Sequence, residues 1–172
     1  MSNVVLVVDM LKGFLEPGHN LYHADSRRII PHSLQLVEQE KAAGSEILFL
    51  ADNHDPDDLE FQVFPVHCVI GTEETDVIPE LADYVTAANL IPKKRYSGFF
   101  NTDLADRLAL LAPEKLLVCG VATNVCVMHT VSDARNRDYA VEVYSDCVSG
   151  PDPEAHRWAL SHCQRVLGAK VI

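Results

Sequence analysis

The chain has 172 residues, and 14 Lys and Arg against 25 Asp and Glu give a formal charge of −11, with an isoelectric point near 5.0. A chain this acidic is poorly matched to nucleic acid or an anionic membrane surface, and no apolar run approaches the roughly 18 residues of a membrane span. The length suits one domain, residues 1–172, burying about two thirds of its unfolded surface, with a small neutral or cationic molecule as the expected partner. Five cysteines, widely spaced and without a C-x-x-C pair, fit a reducing cytoplasm better than a disulfide framework or a zinc ribbon. The N-terminus has no basic stretch and its apolar run stops at Asp9, unlike a secretory leader.

Val4 to Val8 is β-branched and apolar throughout, the pattern of a strand buried on both faces. It ends at Asp9, and a Gly/Pro loop follows over 13–18. Ile29, Ile30, Leu34, Val37 and Ala42 recur at helical spacing over 27–43, with Gly44 as the stop. A second strand over 47–51 ends at another acid, Asp52. Residues 53–71 are polar, rich in Asp, Pro and His, with neither helical nor alternating pattern; a loop this long inside a domain is commonly functional. A short strand over 89–92 leads to Lys93 and Lys94, and Asn101 or Thr102 caps a helix to Leu111. A strand over 115–119, a turn over 120–124, a helix over 125–137 and a strand over 140–144 come next. Asp152-Pro153 reads as cap and first residue of a helix to Leu167, and Gly168 releases a last strand over 170–172. Strands alternating with helices predict an α/β fold: a doubly wound, mostly parallel six-stranded sheet with helices on both faces.

In such sheets the ligand crevice lies off the carboxyl ends of the strands, and three reactive side chains are predicted there: Asp9, Lys93 and Cys126. A buried cysteine is more often structural than reactive, and acids and lysines often end strands for solvation alone. Cys126, however, falls in the first turn of a helix, where free N–H groups and the dipole favour thiolate and, with those of the turn around Ala122, could hold an oxyanion. Asp9 would serve as base and Lys93 as the cation beside the thiolate. Asp52-x-His54, Glu60 and His67 form a second constellation, the ligand types expected for zinc, manganese or iron. The alternative is a solvated acidic loop, and Asp55, Asp57 and Asp58 add negative potential on either reading. Spacing leaves open which carboxylate is the third protein ligand.

The segments DMLKGF (9–14), DNH (52–54), FPVHCVIGT (64–72), KKRYSGFFNTDL (93–104) and GVATNVCV (120–127) resemble, in order and spacing, the isochorismatase-like cysteine hydrolases, most closely nicotinamidases. The resemblance spans essentially the whole chain. It implies a triad of Asp9, Lys93 and Cys126, and a cis peptide between Val121 and Ala122 that turns the Ala122 N–H toward an oxyanion beside the Cys126 N–H. It also implies a divalent ion, zinc before manganese or iron, at Asp52, His54, Glu60 and His67, and an aromatic pocket wall of Phe14, Phe64 and Tyr96. Two departures stand out. Met10-Leu11-Lys12 replaces the usual Gln-Asn after the first acid, and the lysine is doubled; counting back six residues from Phe99 selects Lys93 over Lys94. The activity implied is nicotinamide hydrolysis in NAD salvage, by a cytoplasmic enzyme expected to be a homo-oligomer. The rivals are an amidase acting on an N-carbamoyl or ureido compound and a non-catalytic ligand-binding relative. Isochorismate hydrolysis fits less well, because that branch lacks the metal set.

Overall fold

A computed structural model describes residues 2–172. The strands are β1 (Val4–Val8), β2 (Glu46–Asp52), β3 (Leu90–Lys93), β4 (Leu116–Val121), β5 (Val141–Ser149) and β6 (Lys170–Val171). The helices are α1 (Lys12–Leu15), α2 (Ile30–Ala42), α3 (Pro79–Ala82), α4 (Leu104–Leu111), α5 (Met128–Arg135) and α6 (Pro153–Arg165). The six strands form one sheet in the order β3-β2-β1-β4-β5-β6, and every pairing is parallel. The expected architecture is therefore present, with a wholly parallel sheet.

All residues of β1 and β4 are buried, because each strand feeds two cores with alternate side chains. Val4, Leu6 and Val8 pack with Leu104 of α4, Val131 of α5 and Cys163 of α6. Val5 and Val7 pack on the other face with Leu15 of α1, Val37 of α2 and Leu81 of α3. Among the described residues no helix is long and apolar enough to cross a membrane.

The chain winds outward from β1 to β3, then returns to β4 beside β1 and winds the other way. This reversal opens a crevice at the carboxyl ends of β1 and β4, where Asp9 and the segment leading to Cys126 emerge. Close approach of these strands demands Gly120: its φ is +120°, and a Cβ there would lie 1.9 Å from the Val8 carbonyl oxygen. Gly120→Ala is expected to cost about 3 kcal/mol or more, read as a lower urea midpoint. An unchanged midpoint would show that β1 and β4 do not approach this closely.

Several boundaries differ from expectation for local reasons. The α-helix of 27–43 begins only at Ile30, after a 3-10 turn over Ala24–Ile29, because Pro31 has no N–H to give and suits a first turn. The stretch read as a loop from Gly13 opens with α1. Helix α4 begins at Leu104, whose N–H donates to the Thr102 hydroxyl at 3.3 Å. Asp152 caps α6 as expected, accepting from Glu154 and Ala155. Strand β5 runs on to Ser149, with a register shift against β4 between Val118 and Gly120.

Candidate active site

Register brings the first group together. Asp52 pairs directly with Lys93 across β2 and β3, so both side chains emerge on one face at the sheet's edge of the crevice. Asp9 follows β1 with φ +49°, a left-handed conformation costing a non-glycine residue on the order of 1–2 kcal/mol. It is tied down at both ends: its N–H donates to Leu50 at 2.9 Å, and its Oδ1 accepts the Asp52 N–H at 2.8 Å. The buried Lys93 ammonium lies 2.9 Å from Asp9 Oδ2 and 2.5 Å from Asp52 Oδ1. It lies 3.5 Å from Cys126 Sγ and donates to the Arg95 carbonyl at 3.1 Å. Asp9 Oδ2 makes no well-angled hydrogen bond, which leaves a lone pair for the Cys126 proton.

The charges sort themselves by burial and neighbours. Burial, then Asp52, pushes the Asp9 carboxyl up to about 6 against the pull of Lys93. Burial also opposes the charged forms of Asp52 and Lys93, but their mutual attraction wins; Asp52 stays well below the carboxylate range and Lys93 well above its ordinary value. Burial pushes the Cys126 thiol well up, with Lys93 opposing. Burial thus opposes the thiolate that the helix position favours, while the Lys93 ammonium supports it.

The backbone around Cys126 is also not an ordinary helix start. Thr123–Val127 forms a wide π-type turn, with the Val127 N–H reaching back five residues to the Ala122 carbonyl at 3.2 Å. The Val121–Ala122 peptide is cis, and the Ala122 N–H finds no backbone acceptor among the described residues. Thr123 anchors the turn from behind through a 2.8 Å hydrogen bond with His156.

The polar loop after β2 has an order that periodicity does not reveal. The His54 N–H donates to Cys68 and the Ile70 N–H to the His54 carbonyl, both at 2.9 Å, so the far end of the loop folds back beside its start. Asp52, His54, Glu60 and His67 consequently converge: one ligand atom of each lies within 4.8 Å of the others, and all four residues are buried. His54 Nδ1–H donates to Asp58 at 3.1 Å and His67 Nδ1–H to the Pro65 carbonyl at 2.7 Å, which leaves both Nε2 lone pairs facing the cluster.

Those Nε2 atoms lie 3.6 and 3.7 Å from Asp52 Oδ2 and 3.8 and 3.7 Å from Glu60 Oε1. These separations are too long for hydrogen bonds and close to the roughly 3.4 Å edge of a tetrahedron with about 2.1 Å metal–ligand bonds. His54 Nε2 is buried without a hydrogen-bond partner, while Glu60 Oε2 lies 3.9 Å from Arg95 Nη1; a bare buried imidazole nitrogen facing two carboxylates is costly unless a cation lies among them. The donor set fits a divalent ion. Asp52 spans both groups, one oxygen on Lys93 and the other facing the imidazoles.

A cavity of about 240 Å³ is shared by the two groups: Cys126 and Ala122 line it together with Asp52, Glu60 and His67. Phe14, Phe64, Tyr96, Leu21, Val125 and Pro151 supply apolar wall; Phe64 and Tyr96 meet edge to face at 6.2 Å. Among the described residues no lysine or arginine lines this cavity. Lys94 points elsewhere, pairing with Asp55 at the surface, and borders a separate hollow of about 560 Å³ without Cys126. Sequence reasoning missed Leu21, Asn124, Val125 and Pro151 as lining residues, and Asp58 and Arg95 as supports of the cluster. Only Asp58 left a local signal, an Asp two residues before Glu60 at the start of a turn.

This fold and these two groups place the chain in a known class: the isochorismatase domain matches residues 3–172, and the chain belongs to that family. It is similar to the pyrazinamidase/nicotinamidase of Streptococcus mutans, 31% identical with a TM-score of 0.93 over 99% of this chain and 100% of that one. The pyrazinamidase of Pyrococcus horikoshii in complex with zinc is 30% identical, with a TM-score of 0.91 over 100% of this chain and 99% of that one. A ureidoacrylate amidohydrolase of Methylorubrum extorquens is 28% identical over 97% of this chain and 78% of its own length.

Proposed function

We propose that the protein is a metal-containing cysteine amidohydrolase that converts nicotinamide and water to nicotinate and ammonia. The observation that carries this reading is the shared cavity: a cysteine beside a buried acid and lysine opens into the same aromatic-walled space as the metal-ligand cluster. The likeness to nicotinamidases and pyrazinamidases supports it, and a cytoplasmic oligomer serving NAD salvage belongs to the same proposal.

Asp9, ionised near neutral pH, takes the Cys126 proton as the sulfur attacks the carboxamide carbon. The oxyanion receives the Ala122 and Cys126 N–H groups. Asp9 then gives its proton to the departing nitrogen; ammonia leaves and a thioester remains on Cys126. Asp9 next takes a proton from water, which attacks the thioester and frees the acid, and the thiol is restored. Lys93 keeps both buried carboxylates and the sulfur in place throughout. Asp52, His54, Glu60 and His67 would hold the divalent ion, zinc before manganese or iron, which when bound supplies a Lewis-acid site for the pyridine nitrogen and orients the ring. Phe14, Phe64 and Tyr96 would flank that ring.

Substrate charge separates this reading from the ureido alternative favoured by the ureidoacrylate relative. Asp52 and Glu60 already match the two charges of a divalent ion, and among the described residues no lysine or arginine lines the cavity. A neutral ring amide therefore suits the space better than a substrate carrying its own carboxylate. Metal-replete enzyme is expected to hydrolyse nicotinamide roughly 10- to 100-fold faster than benzamide, whose ring cannot ligate the ion, and His54→Ala should largely erase that preference. Ammonia release from nicotinamide, benzamide and a ureido acid, with metal content measured in parallel, tests this. Equal turnover of the two ring amides would remove the metal from substrate recognition, and inactivity toward all three would favour a binding protein.

A further inference from the structure

Asp58 is set apart from the acidic residues around it. Its side chain is only 4% exposed, whereas Asp57 beside it is exposed. One carboxylate gathers donors from three parts of the site. It accepts His54 Nδ1–H at 3.1 Å, the Glu60 backbone N–H at 2.9 Å, and Arg95 Nη1 at 2.9 and 3.0 Å. Burial opposes its ionisation, but the Glu60 N–H and then His54 outweigh burial and hold the carboxyl at about 2.

Each contact has its own consequence. A carboxylate only accepts, so His54 must carry its proton on Nδ1, and its bare Nε2 faces the cluster, buried and without a partner. Asp58 also caps the 3-10 turn over Leu59–Gln62, fixing the backbone from which Glu60 reaches in. Arg95 follows Lys93 by two residues, so its grip on Asp58 ties the polar loop to the end of β3. Its charge lies against Asp58 at 2.9 Å and faces Glu60 Oε2 at 3.9 Å, so Asp58 orients two ligands with its own charge offset.

We propose that Asp58, held by Arg95, is the positioning residue of the metal centre: it sets the His54 tautomer and the Glu60 approach, and through them metal affinity. This rests on the metal-binding part of the function proposed above. It assigns to one buried acid what spacing alone left as general negative potential across Asp55, Asp57 and Asp58.

Zinc affinity of the purified full-length protein, measured by competition with a chromophoric chelator, tests it without substrate. Asp58→Asn keeps the shape but presents an amide that cannot balance Arg95 and need not accept from His54. Its zinc affinity is expected to fall about 10- to 100-fold, with metal-free melting lowered by no more than a few degrees. Asp57→Asn removes the same formal charge from the same loop and should bind zinc within about twofold of wild type. Arg95→Gln, at a side chain 39% exposed, should fold normally and fall between the two. Equal weakening by Asp57→Asn and Asp58→Asn would reduce the effect to charge alone and overturn the proposal. Wild-type affinity in Asp58→Asn would overturn it while leaving the metal centre intact. A wild type that binds no zinc, manganese or iron would overturn both.

Discussion

Cys126→Ala is expected to lower amide hydrolysis by about 10⁴-fold or more while leaving melting temperature and metal content near wild type. The sulfur forms the covalent bond in the proposed reaction, and among the described residues Cys126 is the one cysteine to which Lys93 donates a hydrogen bond. The other thiols are also buried, and burial pushes Cys119 up to about 12 and Cys163 up to about 11 and raises Cys68 and Cys147 as well. The ion pairs of Lys93 run to Asp9 and Asp52, so removal of the sulfur leaves both partners in place. Cys126 also lines an existing cavity, so the space left behind joins that cavity instead of becoming a sealed void. Ammonia release, thermal melting and metal analysis of the same preparation decide the matter. More than a few per cent of residual activity would move the nucleophile elsewhere.

The parts of the site legible in the sequence are those fixed by a strand's own composition. Val4 to Val8 and Leu116 to Val121 are apolar without alternation because both faces are covered, and that alone places Asp9 and the Cys126 turn at carboxyl ends. What depends on contact between distant segments was not legible. The strand expected over 89–92 is Leu90–Lys93, and which lysine points inward hangs on that single residue, since a one-residue slip exchanges the faces of a strand. Only the family spacing to Phe99 separated Lys93 from Lys94. The environment of Cys126 follows the same rule: helix position is a local feature, whereas the burial that opposes its ionisation comes from packing. The loop after Asp52 has no periodicity because its shape is set by side chains and single carbonyls, Asp58 under His54 and Pro65 under His67, each unremarkable in an acidic, proline-containing stretch.

The sharpest test of that register compares Lys93→Met with Lys94→Met. Lys93 is 2% exposed and sits between Asp9 at 0% and Asp52 at 3%, so its loss strands two buried carboxylates of like charge. Breaking a buried pair in this way costs about 3–5 kcal/mol, and turnover should fall on the order of 10³-fold, since sulfur and base both lose the cation that places them. The cost should grow with pH. Asp9 already has a raised folded-state pKa, about 6, and removing the ammonium raises it further. The folded variant therefore holds a proton that the unfolded chain releases, and stability is lost as pH rises through the folded value. Urea midpoints of the metal-free proteins at about pH 5 and about pH 8 should show a larger deficit at the higher pH. Lys94 and its partner Asp55 are 54% and 50% exposed, and such a pair contributes less than about 1 kcal/mol. Lys94→Met should consequently keep wild-type turnover and show no pH-dependent deficit. Loss confined to Lys94→Met would mean that β3 sits one residue out of register against β2, with the other lysine facing the thiol.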